Sequence, residues 1–530
     1  MHRLIISVVL FIGIFSSQLH GQSVYHHVRN TSVYEFIDEL ASSGLVEVNS
    51  SVKPYSRNQV SNMLQAASLQ KDQLNRRQQA ELEFYLKDFG KELHPDKNFD
   101  RRFDVIYYRD SLFTATLNPL LGVNSFYSNS EIAYRRWVGA EAWSYMGKGF
   151  ALYASLRDYA ESNRLAEATY LNHYQGGGYK PKNEGGEFSE MRGGATWSWG
   201  WGTVGVVKDH VEWGSGYNGT NILYSRAPSF TMMKLNLKPA RWFELNFIHG
   251  WLVSQVIDSS RTYTYAGAPR NLFHPKYIAA NFFTFTPVRK LNLSFGNSII
   301  YSDLDVHPAY LTPVFFFKSI DHHLNGMSNY TGQNSQMFMD ISSRQVKNLH
   351  LYFSLFLDEI AISRMFDEDR HSNYFSIKTG FRLSNFPLQN VILTAEYSRT
   401  NPQVYEHIIE TTTFESNRYN LGYYLRENSQ DFFASVAVKP YRTFRAEISF
   451  TWAQKGPDTS LEPSRLGIPF METVDWEAKI VSSKFDFEVL NDSHLYLGFD
   501  FASYSGNIHD YTPSFFTNGL TFTFGGCYGF

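Results

Sequence analysis

The last twelve residues constrain the fold most. Leu520, Phe522, Phe524, Gly526, Tyr528 and Phe530 alternate with Gly519, Thr521, Thr523, Gly525, Cys527 and Gly529. In a strand these two sets face opposite ways, one large and apolar, the other small or weakly polar. A sandwich strand turns such an apolar face inward. A strand of an outer-membrane barrel turns it to lipid, and an alternating run ending on an aromatic resembles the terminal strand that barrel-assembly machinery recognises. Phe444, Ala446, Ile448, Phe450 and Trp452 repeat the pattern against Thr443, Arg445, Glu447, Ser449 and Thr451. A charge on the lipid side at mid-depth costs about 2–4 kcal/mol, so Arg445 and Glu447 belong on the inner face.

The N-terminus agrees with this location. Arg3 precedes a 12-residue apolar run, Leu4–Phe15, and small residues follow at Ser16, Ser17 and Gly21. Met1–Gly21 therefore reads as a cleaved secretory signal peptide, too short to span the hydrocarbon core as a helix. No Cys follows it to carry a lipid, and no later 18-residue apolar run suggests a spanning helix. An exported chain of this kind is either soluble or a barrel in a Gram-negative cell outer membrane. Composition favours the barrel. Of 530 residues, 17% are aromatic and 19% charged, against roughly 25% charged in ordinary soluble chains. One Cys excludes a disulfide framework and a Cys-rich zinc site. A net charge of -3 gives no reason to expect nucleic acid as a partner.

Residues 30–93 carry helix signals. Ser32 with Glu35 forms a capping-box pattern ahead of Val33, Phe36, Ile37, Leu40 and Ala41, and Gly44 can close that helix. Ser56 with Gln59 repeats the box ahead of Val60, Met63, Leu64 and Ala67. Asp72 opens a third helix, with Leu82, Tyr85, Leu86 and Phe89 on one face before Gly90. Sixty-odd residues bury little on their own, so this periplasmic helical section is expected to dock on something larger.

Residues 101–530 are punctuated by turns. Leu237–Arg241, Phe285–Arg289 and Val438–Arg442 share one form: apolar residue, any residue, Pro, any residue, Arg. Pro pre-sets a turn and cannot donate to a ladder, which places it between strands. Gly147–Gly149, Gly200–Gly202, Arg344–Asn348, Asn385–Pro387 and Asn491–Asp492 bring the total to eight, about 40 to 60 residues apart. With both ends of the barrel on the periplasmic side, eight short turns mean eighteen strands, or sixteen without the two least regular turns. The fold class is mainly β: a large antiparallel transmembrane β-barrel behind a small N-terminal α-helical section. Its longest outer loops fall near 160–188, 208–230, 303–335, 400–420 and 455–474. The first holds the Gly-rich and Tyr-rich stretch Tyr174–Tyr179.

Chemistry concentrates in Asp209–Gly219. Trp213 and Tyr217 offer ring faces for a sugar, and Asn218, Asn221 and Arg226 offer groups that bond hydroxyls. His210 and Glu212 are too few for a tight metal site. Asp321-His322-His323 in an extended loop would point its imidazoles apart. Ser225 lacks the glycines of a nucleophile elbow. Trp197, Trp199 and Trp201 alternate on one face and fit an interfacial aromatic girdle. No catalytic, metal or cofactor-binding residue is nominated, and no cofactor is expected.

Together these segments resemble the Wzi-type capsule assembly family. The resemblance runs from Val33–Ile37 and Lys53–Arg57 through Trp213–Gly216, Asn221–Ser225 and Ala227-Pro228 to Asn334–Asp340. Ser215 stands where family members tend to have Pro. It implies an eighteen-stranded barrel that supports assembly or surface attachment of capsular or other exported polysaccharide, without enzymatic activity. The implied partners are surface polysaccharide, outer-membrane lipid and periplasmic export components. A channel or solute transporter is the main alternative and an outer-membrane hydrolase a third. Occlusion of the lumen would separate the first from the second.

Overall fold

The computed structural model describes residues 22–93, 100–171, 178–326, 332–459 and 465–529. The leader Met1–Gly21, the terminal Phe530 and residues 174–177 of the Gly-rich stretch lie outside them. Eighteen antiparallel strands form one closed sheet. The first six are β1 (Phe113–Ser128), β2 (Glu131–Met146), β3 (Phe150–Glu161), β4 (Gly186–Trp199), β5 (Gly202–Asp209) and β6 (Phe230–Ala240). Next come β7 (Phe243–Leu252), β8 (Lys276–Val288), β9 (Leu291–Ser302), β10 (Asn334–Ser343), β11 (Leu349–Glu359) and β12 (Tyr374–Ser384). The last are β13 (Val391–Thr400), β14 (Ser429–Tyr441), β15 (Phe444–Lys455), β16 (Trp476–Leu490), β17 (Ser493–Gly506) and β18 (Gly519–Tyr528). Each pairs with the next, and β18 closes on β1 with Thr521 opposite Ser128 and Tyr528 opposite Leu121.

All eight turns read from the sequence lie at one rim, which settles the count at eighteen. The prolines sit a step earlier than expected. Pro239, Pro287 and Pro440 are the penultimate residues of β6, β8 and β14, inside bulges where the register shifts. A bulge leaves a residue out of the ladder, which suits one without an N–H. The two-residue turns themselves are Arg241-Trp242, Arg289-Lys290 and Arg442-Thr443.

Alternation sorts the two faces as expected. Leu520 and Phe524 are exposed on the outside, and Thr521 is buried inside. Arg445 and Glu447 point inward and pair with each other at 2.6 Å. Trp197, Trp201, Trp242 and Tyr441 stand exposed around the short-turn end, where a girdle belongs.

Three helices cover that same end: α1 (Thr31–Ser43), α2 (Arg57–Ser68) and α3 (Arg76–Leu93). Val33, Phe36, Leu40, Val60, Leu64, Leu82, Tyr85 and Phe89 form their shared core. The Ser56–Gln59 box is present, and Gly44 closes α1 at φ 89°. Two helix starts differ from the sequence reading. Asn30, not Ser32, precedes α1, because Glu35 is drawn away to Arg445 on β15. Asp72 lies in a 3-10 turn, and Asn75 and Gln78 make the reciprocal bonds that begin α3, which continues past Gly90.

The helices dock through buried ion pairs. Lys439 Nζ lies 2.6 Å from Glu81, Arg445 lies 3.0 Å from Glu35, and Arg344 pairs with Asp38. Burial alone would raise the Glu35 carboxyl, but Arg445 and Lys439 outweigh it and hold it well below the usual range. Burial works the same way on Asp38, where Arg344 prevails. Removing one member of such a pair costs about 3–5 kcal/mol, because it strands a buried charge.

Chain also fills part of the lumen. The segment before α1 runs along the inner wall, where Thr196 Oγ1 donates to the Ser23 carbonyl and Lys234 sits 3.7 Å over the Tyr25 ring. Between α1 and α2, Val52-Lys53 pairs with Trp213 and Glu212 as a two-stranded sheet inside the barrel. The β5–β6 connection therefore folds inward, and so does the β13–β14 connection, which buries Val404, Tyr405, Phe414, Tyr419 and Tyr423. Both had been read as outer loops.

Candidate functional site: a luminal cavity

The inward β5–β6 loop is held by partners distant in sequence. Gly214, at φ 102°, donates its N–H to the Ser51 carbonyl at 2.9 Å. The Ser215 N–H donates to Asp340 on β10 at 2.7 Å. Glu396 on β13 accepts from the Tyr217 and Asn218 N–H groups at 2.6 and 2.9 Å, and Lys378 lies 2.8 Å from it.

These contacts divide the five sugar-site candidates. Trp213 is 1% exposed, with its ring stacked on Phe282 at 5.3 Å and tilted against Phe338. Asn221 is fully buried, and its amide donates to the Ser376 carbonyl at 3.0 Å. The Asn218 amide is bonded to Asp431 at 3.1 Å. These three brace the loop, which corrects their reading as an open platform: a ring sandwiched in the core has no face for a sugar. Tyr217 and Arg226 do line a cavity. The Tyr217 hydroxyl lies 2.6 Å from Asp38 and 2.7 Å from His350, with the Arg382 guanidinium 3.4 Å over its ring. Arg226 donates to the Leu171 carbonyl at 2.8 Å and stacks 4.4 Å from Tyr424.

That cavity measures about 610 Å³, within the range of small-ligand sites. Its wall along the arc β16–β18, β1 and β2 mixes large polar and aromatic side chains with inward glycines. Gly122 and Gly525 lie opposite Trp137 and Tyr496 in the ladder, and those rings fold over the space that a side chain would fill. Of the small-residue set seen in the last strand, Cys527 and Gly529 line the cavity, and Gly525 lies behind the Tyr496 ring. The lining carries ten Lys or Arg side chains and six Asp or Glu, an excess of four positive charges. Aromatic lining comes from Trp137, Tyr159, Phe188, Tyr217 and Tyr496 among others. Trp137 and Tyr159 escaped the sequence reading, though inward alternation of Ala133, Arg135, Trp137 and Gly139 along β2 could have found the first.

Two side-chain clusters resemble chemistry and are better explained as braces. His27, Glu190 and His210 gather at metal-ligand distance, each Nε2 lying 3.0 Å from the same Glu190 oxygen. Both His27 nitrogens are already engaged by the protein, however: the Arg29 N–H donates to Nδ1, and Nε2 lies between Glu190 and the Arg157 guanidinium, 3.3 Å away. Arg157, 3.7 Å from Glu190, already supplies positive charge there. Burial holds both imidazoles neutral by lowering their pKa. In the second cluster Ser342 lies 2.9 Å from His350 Nε2, and Asp38 lies 4.0 Å from Nδ1. Nδ1 faces Arg344 at 3.1 Å, and a guanidinium only donates. Nδ1 also meets the Tyr217 hydroxyl at 2.7 Å, and Ser342 and His350 are both buried in this tie between α1 and the wall, with no face of the serine open to a substrate.

The other flagged residues also find structural places. Ser225 donates to Glu212 at 2.5 Å. His322 and His323 lie exposed on a helix, Phe317–Asn325, and not in the extended loop expected of them.

A closed, even-stranded antiparallel barrel with an apolar outer face and a polar interior defines an outer-membrane β-barrel, here one whose lumen is partly filled by its own chain. In fold the chain is similar to Wzi of Escherichia coli, described as an outer-membrane protein involved in group 1 capsule assembly and a carbohydrate-binding β-barrel. The superposition has a TM-score of 0.58 at 10% identity and covers 96% of this chain and 100% of that one. OpdK of Pseudomonas aeruginosa, solved with vanillate, aligns with a TM-score of 0.44 at 8% identity over 78% of this chain and 98% of its own. OccAB1 of Acinetobacter baumannii gives 0.43 at 10% identity over 78% of this chain and 95% of its own. No family model and no curated protein sequence matches the chain.

Proposed function

We propose that this protein is a non-enzymatic outer-membrane barrel that supports assembly or surface attachment of an exported polysaccharide. The observation that carries the reading is an aromatic and polar cavity in a lumen narrowed by α1–α3 and two inward loops, on a fold similar to a carbohydrate-binding barrel. A wall of aromatic rings and hydrogen-bonding side chains suits sugar rings, which present an apolar face and polar edges. Weak contacts of this kind gain avidity when repeated along a polymer. The helical section lies on the periplasmic side in this reading, where it can meet export components, and the terminal strand serves barrel assembly. The hydrolase alternative gains nothing from Ser342, which is buried beside His350.

Deleting the gene is expected to leave polymer synthesis intact, lower cell-bound polysaccharide and raise the amount in the medium. Unchanged cell-bound polymer would refute attachment. The purified barrel is expected to give no large, stable conductance steps in planar bilayers; such steps would instead support the channel.

A further inference from the structure

We infer that the β9–β10 loop is a strap on the outside of the barrel wall, and that it sinks Val314, Phe315 and Phe316 into the upper acyl chains of the outer leaflet. This goes beyond the glycan reading and does not depend on it.

The wall beneath the loop is unlike the rest of the lipid face. On β8 and β9 the inward residues are even-numbered: Phe282 stacks on Trp213, and Thr284 and Ser294 meet Asn49 and Ser51. Odd-numbered residues therefore face out. Phe285 and Phe295 are exposed there, as lipid-facing residues should be. Further along the same face of β9, exposure falls from 46% at Phe295 to 0% at Ile299 and Tyr301. What covers them is the loop: its Tyr310 and Phe317 share a core with Ile299, Tyr301, Ala279 and Phe247.

Asn281 and Asn297 lie just below that core, opposite each other in the ladder and facing out. Asn281 stands seven residues from Val288, the short-turn end of β8. At a strand tilt of about 40° that is about 17 Å up a hydrocarbon band of about 25 Å, or about 8 Å below its outer boundary. Amides cannot be left bare at that depth. Both Nδ2 groups donate to the Phe315 carbonyl, at 2.9 and 3.3 Å, and Asn297 Nδ2 also donates to Asn281 Oδ1 at 2.8 Å. The Phe317 N–H donates to Asn297 Oδ1 at 2.9 Å. This clasp fixes the depth of the strap. Irregular backbone in hydrocarbon also needs its own polar groups bonded. The Phe315 N–H reaches the Thr312 carbonyl at 3.4 Å, and the Phe316 carbonyl accepts from the Ser319 N–H at 3.1 Å.

The loop descends and returns. The Tyr310 ring lies 4.7 Å from that of Tyr301, next to the rim, and the chain is lowest at Val314–Phe316. The helix Phe317–Asn325 then climbs until Asp321 accepts from the Gln333 N–H at 3.1 Å, beside the start of β10. Val314, Phe315 and Phe316 are exposed at the bottom, and His322 and His323 are exposed at the top. Apolar side chains about 5–10 Å below the headgroups and polar ones above them are the pattern of an interfacial segment. The exposed residues continue the lipid face of the barrel, so their occupant is hydrocarbon.

The test places a nitroxide on single cysteines of the full-length barrel in phosphatidylcholine bilayers, in a Cys527→Ser background. It reads collision with oxygen, which concentrates in lipid, and with a nickel–EDTA-type chelate, which stays in water. Phe524→Cys on the outside of β18 is the lipid reference, and Leu69→Cys on the exposed side of α2 is the water reference. Nickel access at Phe316→Cys is expected to be at least fivefold below that at Leu69→Cys, with oxygen access equal to that at Phe524→Cys. His323→Cys should match the water reference. Val314→Cys serves if the Phe316 variant loses its heat-modifiable folded form. Nickel access at Phe316 equal to the water reference would overturn the insertion. Low access to both reagents would also overturn it, replacing lipid with a second copy of the chain.

Discussion

The two sides of this barrel treat the same problem differently. Eighteen strands enclose more space than their own side chains can fill. Along β6–β13 the chain imports material: Trp213 and Tyr405 from inward loops join Ile248, Ile278, Phe282, Phe338 and Phe356 of the wall in one core. Along β16–β18, β1 and β2 no inward loop among the described residues fills the space: Lys484, Asp486, Tyr496, Cys527 and Trp137 border an open cavity, with the rings of Trp137 and Tyr496 lying over Gly122 and Gly525. The packed side resembles the interior of a soluble domain, and the open side resembles a binding site.

Three experiments bear on that contrast. The largest effect is expected on the packed side, where Trp213→Ala removes a ring held against Phe282 and Phe338. The loss should be about 3–5 kcal/mol, seen as a lower transition temperature of the heat-modifiable form. An unchanged transition would mean that the inward loop does not stabilise the barrel. Acid should act next, on the helical section. Glu35 and Asp38 are held below the ordinary carboxylate range by Arg445, Lys439 and Arg344, so the unfolded chain takes up protons at a higher pH than the folded one. Their contribution is complete above about pH 5 and declines as pH falls through about 4. Proteolysis of α1–α3 should therefore be faster at pH 3 than at pH 7 while the barrel stays folded, with acid-stable pepsin against a neutral protease of matched activity.

The smallest effect separates two glycines of the open wall. A Cβ on Gly498 meets Thr523 at an ordinary 3.4 Å, whereas one on Gly122 meets the Trp137 ring at 2.1 Å. Gly498→Ala should shift stability by no more than about 0.5 kcal/mol. Gly122→Ala should cost about 1–3 kcal/mol and change the tryptophan emission. Equal effects would show that the ring does not rest on the wall.

Much of the barrel was legible because its signals are local. Alternation fixed the faces of β15 and β18, and each short turn announced itself within five or six residues. The helical stripes were legible for the same reason. What stayed hidden depends on distant partners. Nothing near Ser215 in the sequence points to Asp340, and nothing near Tyr217 points to Asp38, so the inward course of that loop could not be read. The Ser32–Glu35 pattern misplaced a helix start because Arg445, more than four hundred residues away, takes the carboxylate. Trp213 drew notice for its chemistry and proved to be core. Trp137 was passed over because its significance lies in Gly122 on the neighbouring strand.

The course of Ser23 and Tyr25 along the inner wall gives the helical section a second tether. Gln22 meets the Met146 and Gly147 carbonyls at the short-turn rim, and the residues after it climb the wall past Thr196 and Lys234 before the chain turns back into α1. The three helices are thus leashed to the cylinder from both sides, by this segment ahead of α1 and by β1 behind α3, so that cutting one leash leaves the other in place.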